Sequence, residues 1–363
     1  MLLSKHQLQQ VFFGVEPTGN YHKALANRLI QNGYDVVLVG GKAVKDNRQL
    51  IDGRWDKNDT KDSANVADLI SQGKCQFYEN PQEHILQLRN LLSLRKRLKK
   101  EEHSLRMRIR NSLIAKYFPE LDRHLSSCQE ENLAIVRWYL DPKKIAATPF
   151  NEFAKHVTRT DRGLRQTKRL KGIYEAANDS VGLAVDPAAV YEAQMLVDRL
   201  QYTKKEIAQT MECIEAICNN LKAYRLLLTI PGFGPYISSL VLGTIGHPHR
   251  FESQKQVIRL AGLDLNANRS GKTSNDSVPV ISKKGDADLR YGLYQAALIA
   301  SYHNENFRRM FHRMIDSRHA ERGIKTKMRV KLAAKILVIA WTMLKNNEPF
   351  DANRLAVEPG YTR

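Results

Sequence analysis

Ser270 is the side chain in this sequence whose surroundings most suit covalent chemistry. It lies in the stretch Leu260 to Ala297, LAGLDLNANRSGKTSNDSVPVISKKGDADLRYGLYQAA. A short apolar run and a glycine open it, and about twenty nearly unbroken polar residues follow. Leu289, Leu293, Ala296, Ala297 and Ala300 then mark one face of a helix. A polar loop of this length inside a compact domain is usually either functional or disordered. Ser270-Gly271-Lys272 sets a hydroxyl beside a residue without a side chain, so another backbone could come close. Lys272, Lys283, Lys284 and Arg290 surround it with positive charge, and Gly285-Asp286 reads as the turn into the helix that carries Arg290. A serine among cations suits attack on a phosphodiester, where the cations would offset developing charge. A surface loop whose lysines are merely solvated has the same local sequence, and both readings stay open here.

The second set of candidate groups is acidic. Glu16 ends the β-rich run VFFGVE, residues 11–16, at the carboxyl end of a strand, where ligand sites gather in open α/β sheets. Asp59 and Asp62 stand three apart at the start of the helical run Ala64, Ala67, Leu69, Ile70, and would project from one face of its first turn. Acids there also suit the helix dipole and Asp is a common cap, so an ordinary helix start is the competing reading. With Glu16 supplied by a neighbouring strand, three carboxylates and the flanking Lys57 and Lys61 could hold Mg²⁺ against a phosphate backbone.

These groups need elements to position them. After Pro17-Thr18-Gly19, Leu25, Leu29 and Ile30 mark a helix closed by Asn32-Gly33, and Val36 to Val39 form a buried-strand run ended by Gly40-Gly41. Strand, helix and strand in so short a span predict a βαβ unit with a parallel pair. Residues 82–118 read as one long helix with Ile85, Leu88, Leu92, Leu105 and Leu113 among its apolar positions. Its other face carries Arg89, Arg95, Lys96, Arg97, Lys99, Lys100, Arg106, Arg108 and Arg110, with too few acids to balance them, which favours a phosphate-tracking surface over a merely solvated one. Pro142, Pro149 and Pro187 break up residues 120–190, and 159–171 form another basic patch. From Leu200 to Leu221, Ile207, Met211, Ile214 and Cys218 keep a 3–4 spacing, with Lys204 the exception at one core site, that suits a short coiled coil, a helical hairpin or a buried bundle helix.

Residues 226–242, LLLTIPGFGPYISSLVL, resemble a helix-hairpin-helix element. In that reading Gly232 and Gly234 bound a turn that offers backbone N–H groups to DNA phosphates; an ordinary packing turn is the alternative. Residues 307–345 are helical and basic, and the last dozen residues read as a loose tail.

Composition narrows the partner. The 57 Lys and Arg against 38 Asp and Glu give a net charge of +19, and the pI is about 9.7. Such an excess calls for a polyanion, with nucleic acid the first candidate and an anionic membrane surface the second. No apolar run approaches the ~20 residues of a spanning helix, and no signal-peptide pattern opens the chain. Cys75, Cys128, Cys213 and Cys218 are scattered without metal-ligand spacing, which predicts reduced thiols in a cytoplasmic protein.

Taken together, VEPTGNYHKALANRLIQNGYDVVLV, KNDTKDSANVADLI, LTIPGFGPYISSLVLGTIGHPHRFESQKQVIRLAGLDLNANRSGK and ISKKGDADLRYGLYQAA resemble the insertion-sequence-110 family of transposases, which includes the Piv-type DNA invertases. The resemblance covers nearly the whole chain. It implies a RuvC-like, ribonuclease-H-type N-terminal domain and a C-terminal transposase domain. By it, Glu16, Asp59 and Asp62 match three members of a DEDD metal tetrad, and Ser270 matches the nucleophilic serine. It also implies a structured RNA that chooses donor and target DNA. One departure stands out: the family's first tetrad Asp lies on a strand several dozen residues before the Glu, yet residues 1–15 contain no Asp or Glu. The expectation is a truncated or mis-started copy, without the opening strands of the sheet and with three of four ligands.

The expected architecture is α/β plus α. A partial RuvC-like domain spans 1–80, a helical linker with a possible coiled coil spans 81–222, a mainly helical transposase domain spans 223–310, and basic helices with a tail span 311–363. The expected function is DNA recombination at element ends and target by a homo-oligomer. Mg²⁺ would orient a phosphate, Ser270 would attack, and Lys272, Lys283, Lys284 and Arg290 would contact phosphates. The rivals are a structure-specific nuclease or junction resolvase, which would not need Ser270, and an inactive DNA-binding remnant.

Overall fold

The computed structural model describes residues 10–17, 19–52, 59–124, 130–158, 163–266, 280–316 and 318–355, without the side chains of 49–52, 59, 130, 131 and 266. Ser270 and Lys272 lie outside these residues, as do the tail from 356, residues 159–162 of the basic patch, and the Asp59 side chain. The chain divides into two compact units, residues 1–82 and 83–363.

In the first unit, β1 (Phe12–Val15), α1 (Tyr21–Gln31) and β2 (Asp35–Leu38) form the expected βαβ unit, with Phe12 opposite Asp35 and Val15 opposite Leu38 in parallel register. Gly33, at φ +79°, turns the chain out of α1. Helices α2 (Gly41–Asp52) and α3 (Asp59–Ser71) follow, and β3 (Gln76–Phe77) pairs antiparallel with β2. Among the described residues the strand order is β1-β2-β3. Gly14 lets α3 lie close on β1, because a Cβ there would stand 2.8 Å from Val66 Cγ1 and collide with Ile70. Val39, Val44 and Leu69 make a small core beneath the two helices.

The second unit is helical. The long basic helix begins as α4 (Glu83–Arg108) and passes into a π-helical turn, Ile109–Ile114, a last α-helical turn, Ala115–Tyr117, and a 3-10 segment, Pro119–His124. Four shorter helices come next: α5 (Glu130–Trp138), α6 (Pro142–Ala147), α7 (Phe150–Val157) and α8 (Leu164–Asn178). Then α9 (Pro187–Cys218) runs back along α4. Asp186 caps it by accepting from the Ala189 N–H at 2.8 Å, with Pro187 in the first turn. Glu101 meets Arg199 at 3.4 Å and Glu192 meets Arg108 at 3.6 Å, so the pair is antiparallel.

The remaining elements are α10 (Lys222–Leu228), α11 (Pro235–Ile245), α12 (Gln254–Leu260), the short strands β4 (Leu265–Asn266) and β5 (Val280–Ile281), α13 (Ala287–His303), α14 (Glu305–Ile315) and α15 (Ile324–Asn346). Two cores share the α4–α9 pair. One gathers Leu105, Leu113, Leu196 and Leu200 with Phe118, Ile135, Phe153 and Leu170. The other gathers Ile85, Leu88, Ile214 and Cys218 with α10 to α15. The stripe expected to suit a coiled coil therefore lies inside the chain, with Leu200, Ile214 and Cys218 fully buried. Among the described residues, no helix is long and apolar enough to cross a membrane.

Candidate functional site

The described residues reach the serine loop at its two ends. β4 and β5 pair antiparallel there, Leu265 opposite Ile281 and Asn266 opposite Val280. Below them two chain segments touch through glycines: a Cβ on Gly285 would run into the Gly262 nitrogen and the carbonyls of Leu260 and Arg259, and Gly262 itself sits at φ +63°. Hydrogen bonds close the clamp. Ser282 N–H donates to Asp264 O at 2.8 Å and its hydroxyl to Asp264 Oδ1 at 2.5 Å; Lys283 N–H donates to Gly262 O at 3.0 Å and Asp286 N–H to Leu260 O at 2.8 Å. Asp286 also caps α13 by accepting from Leu289 N–H at 2.8 Å.

Arg290, expected at phosphate, donates from Nη1 to Ala261 O at 2.8 Å and is half-buried, so part of its guanidinium holds the loop base. Lys283 and Lys284 remain exposed, and Lys283 takes the left-handed conformation at φ +56°. Sequence reasoning missed Gly262, Asp264 and Ser282 as parts of this clamp. Their one signal was the pair of glycines bracketing the polar stretch.

The glycine-bounded turn between α10 and α11 separates its two glycines by role. Gly232, at φ +90°, faces inward, where a Cβ would collide with the Ala296 carbonyl of α13. Gly234 stands at the N-terminus of α11 with open space where its Cβ would be. The cations of α4 are more engaged than their number suggested. Arg89 Nε donates to Gly243 O at 2.7 Å, Arg95 lies 3.6 Å above the Tyr236 ring, and Lys96 meets Asp288 at 2.7 Å. Burial raises the Tyr236 hydroxyl above its usual pKa, and the bond to Asp288 holds Lys96 above the usual lysine value. Lys99 pairs with Glu102, Arg108 with Glu192 and Arg110 with Asp122, whereas Arg97 and Lys100 stay exposed. Lys96, Lys99, Arg108 and Arg110 keep roughly half of their side-chain surface exposed within these ion pairs, so they can still face a phosphate backbone. On α14 and α15, Arg308, Arg313, Lys325, Lys327 and Lys331 are exposed.

Two of the candidate acids of the first unit, Glu16 and Asp62, are described with their side chains. Glu16 follows β1, and its Oε1 lies 2.6 Å from where a Gly41 Cβ would be, at the N-terminus of α2 where the helix dipole favours a carboxylate. Asp62, in the first turn of α3 as expected, bonds Arg48 of α2 at 2.5 Å. No group of three or more His, Cys, Asp or Glu that could hold a metal occurs among the described residues. Asp62 Oδ1 is engaged by the Arg48 guanidinium, and the side chain of Asp59, the third expected ligand, lies outside the described residues. Between α2 and α3, Asn47 Nδ2 reaches Asn65 Oδ1 at 2.7 Å and Asp68 Oδ2 at 2.8 Å, and Gln72 adds a second donor to Asp68 at 2.7 Å. Those bonds hold the Asp68 carboxyl below its usual pKa.

Comparison with known proteins decides the family. Residues 1–119 match a DEDD-type model described as a transposase, and residues 224–312 match one described as "Transposase IS116/IS110/IS902 family". Together they cover more than half of the sequence. The chain belongs to the IS110 family of transposases. Similar curated proteins are the pilin gene-inverting proteins of Moraxella lacunata, 31% identical over 157 residues, and Moraxella bovis, 29% identical over 157 residues. Each alignment takes in 42% of this chain and 46% of the relative, so the chain spans about half the length of the curated relatives it matches. In this IS110-family chain, the C-terminal match contains the Gly232–Gly234 turn, the loop clamp and Arg290, and the N-terminal match contains Glu16, Asp59 and Asp62.

Proposed function

We propose that this chain is a DNA recombinase of a mobile element, cutting and rejoining DNA with Ser270 as nucleophile. The observation that carries the reading is the clamp at Gly262 and Gly285, which fixes both ends of the serine-bearing stretch beside two exposed lysines. In the reaction, Ser270 Oγ gives up its proton and forms a bond to a DNA phosphorus. The bond from phosphorus to one strand's oxygen breaks, and that oxygen leaves as a hydroxyl after taking a proton. The phosphoserine ester keeps the energy of the broken linkage. Attack by another strand's hydroxyl reverses the exchange and releases Ser270. Lys272, Lys283 and Lys284, and the donors of Arg290 not spent on Ala261, offset charge on the phosphate. Gly234 and the backbone N–H groups after it offer a further phosphate contact.

A gene-inverting activity in the similar Moraxella proteins supports rejoining as well as cutting. A divalent metal, Mg²⁺, held by Glu16, Asp59 and Asp62 belongs to the same family reading, and Asp62 would share its carboxylate between that metal and Arg48. The structured RNA and the homo-oligomer rest on the family resemblance.

The test uses DNA carrying the element's end. Wild-type protein should form a covalent adduct with a nicked strand on a denaturing gel, and Ser270→Ala should lose the adduct while still binding. Undiminished strand cleavage by Ser270→Ala would establish the water-and-metal nuclease instead.

A further inference from the structure

The serine reading uses the first turn of α13 and leaves the rest of that helix without a role. Tyr291, Gln295, Leu298 and Tyr302 recur at a 4-3-4 spacing and so share one face of α13, with Ile299 at its margin. The opposite face, with Leu289, Leu293, Ala296 and Ala300, is buried in the core. The outer face is open: Tyr291 is 66% exposed, Ile299 45% and Tyr302 60%. Between the two tyrosines the helix carries no charged side chain, on a chain whose net charge is +19. Single exposed hydrophobics are ordinary, but a contiguous set on one helix face marks an interaction site.

One of the tyrosines is held in place. Arg329 of α15 donates from Nη2 to the Tyr302 hydroxyl at 2.8 Å, and its guanidinium lies 5.2 Å from the ring centroids of both Tyr302 and Phe311. A ring that is fixed yet largely exposed is a platform made ready, because its ordering no longer has to accompany binding. Tyr291 and Tyr302 stand about 16 Å apart along the axis, a span of a few nucleotides. Cations stand at both ends of the strip. Lys283 and Lys284 are exposed where the serine loop leads into α13, and Lys325 is exposed one turn before Arg329. Aromatic rings between two groups of cations complement an unpaired strand, whose bases stack on the rings while its phosphates meet the charges. A duplex keeps the faces of its bases inside and cannot use the strip. We infer that this face of α13 docks unpaired DNA bases, holding open on Tyr291 and Tyr302 the strand that Ser270 attacks. The choice of DNA rests on the serine reading above; the stacking surface does not.

Fluorescence anisotropy of the full chain tests this with four labelled probes at one fixed salt concentration. They are an oligodeoxythymidine, the same strand with abasic sites at its centre, its duplex with oligodeoxyadenosine, and an oligouridine. Wild-type protein should bind the intact DNA strand more tightly than the abasic one. Tyr291→Ala and Tyr302→Ala should each weaken single-strand binding about fivefold to a hundredfold and leave duplex binding unchanged. Tyr291→Phe keeps the ring and should bind as wild type does. Both tyrosines are exposed, so these substitutions spare the core. The inference is overturned if both alanine variants bind the strand as wild type does, if they lose strand and duplex equally, or if the abasic strand binds as tightly as the intact one. Tighter binding of oligouridine, lost in the alanine variants, would assign the face to RNA instead. An oligomer that dissociates in sedimentation when Tyr291 is removed, with strand binding intact, would assign it to a second copy of the chain. Ser270→Ala should keep the single-strand preference of wild type, so the covalent step and this surface can each fail alone.

Discussion

Lys283 combines a local cost with a proposed service. A side chain at φ +56° is strained by roughly 1 kcal/mol or more relative to glycine, and the N–H bond to Gly262 keeps it there. Lys283→Gly should therefore raise stability by about 1 kcal/mol in urea melts while weakening DNA binding and adduct formation. If adduct formation is unchanged, Lys283 is not a phosphate contact. Asp68 is the residue through which acid should act on the first unit. Its carboxyl is held below the ordinary value of 3.8 by Asn47 and Gln72, so its contribution is complete above that value and fades as pH falls through the lower folded value. Asp68→Asn should flatten the acid limb of a stability–pH profile followed by amide exchange in α2 and α3. A limb as steep as wild type would remove Asp68 from the account. Neither residue's condition could be read from the sequence. Lys283 looked like one more loop cation, and the partners of Asp68 lie on α2 and in the turn just past the end of its own helix. Arg48, likewise, meets Asp62 only because α2 packs on α3.

The elements themselves were largely legible. Hydrophobic spacing predicts the βαβ unit, the first long helix and the part of α9 from Leu200, but not its start at Pro187, since burial of one face requires that spacing wherever the helix goes. What the spacing omitted was the destination of each polar side chain. Arg95 and Arg97 are neighbours of one type on one helix, yet Arg95 stacks on Tyr236 from α11 and Arg97 faces water. The π-helical turn was equally invisible, because Ile109 and Leu113 fit the α period as well. The distinction between the two arginines is measurable. Arg95→Gln should cost about 0.5–2 kcal/mol of stability from the lost ring contact and leave the salt dependence of DNA binding nearly unchanged. Arg97→Gln should leave stability within about 0.5 kcal/mol and lower the slope of log K against log salt by up to about 0.9, one phosphate on duplex DNA. Equal effects from both variants would mean that the stacked arginine also reaches the nucleic acid.

The charge excess of +19 was visible at once, but its distribution was not, because ion pairs across α4, α9 and α13 consume cations that the linear count leaves bare. The small sheet and the helical remainder were both foreseeable from patterning, whereas the sharing of α4 and α9 by two cores depended on where each helix end is buried. That sharing bears on how the chain comes apart. A beam common to two rooms lets neither collapse alone: melting the core around Phe153 would strip the flank of helices whose other ends carry Leu88 and Ile214. Calorimetry of residues 83–363 within the full chain should accordingly show one cooperative transition, with van't Hoff and calorimetric enthalpies agreeing for that event. Leu88→Ala, which should cost about 2–5 kcal/mol, should speed hydrogen exchange in α7 and α8, far from the deleted methyls. Exchange that accelerates only in α10 to α15 would mean that the two cores open independently, and that the long pair bends like a hinge when one of them is lost.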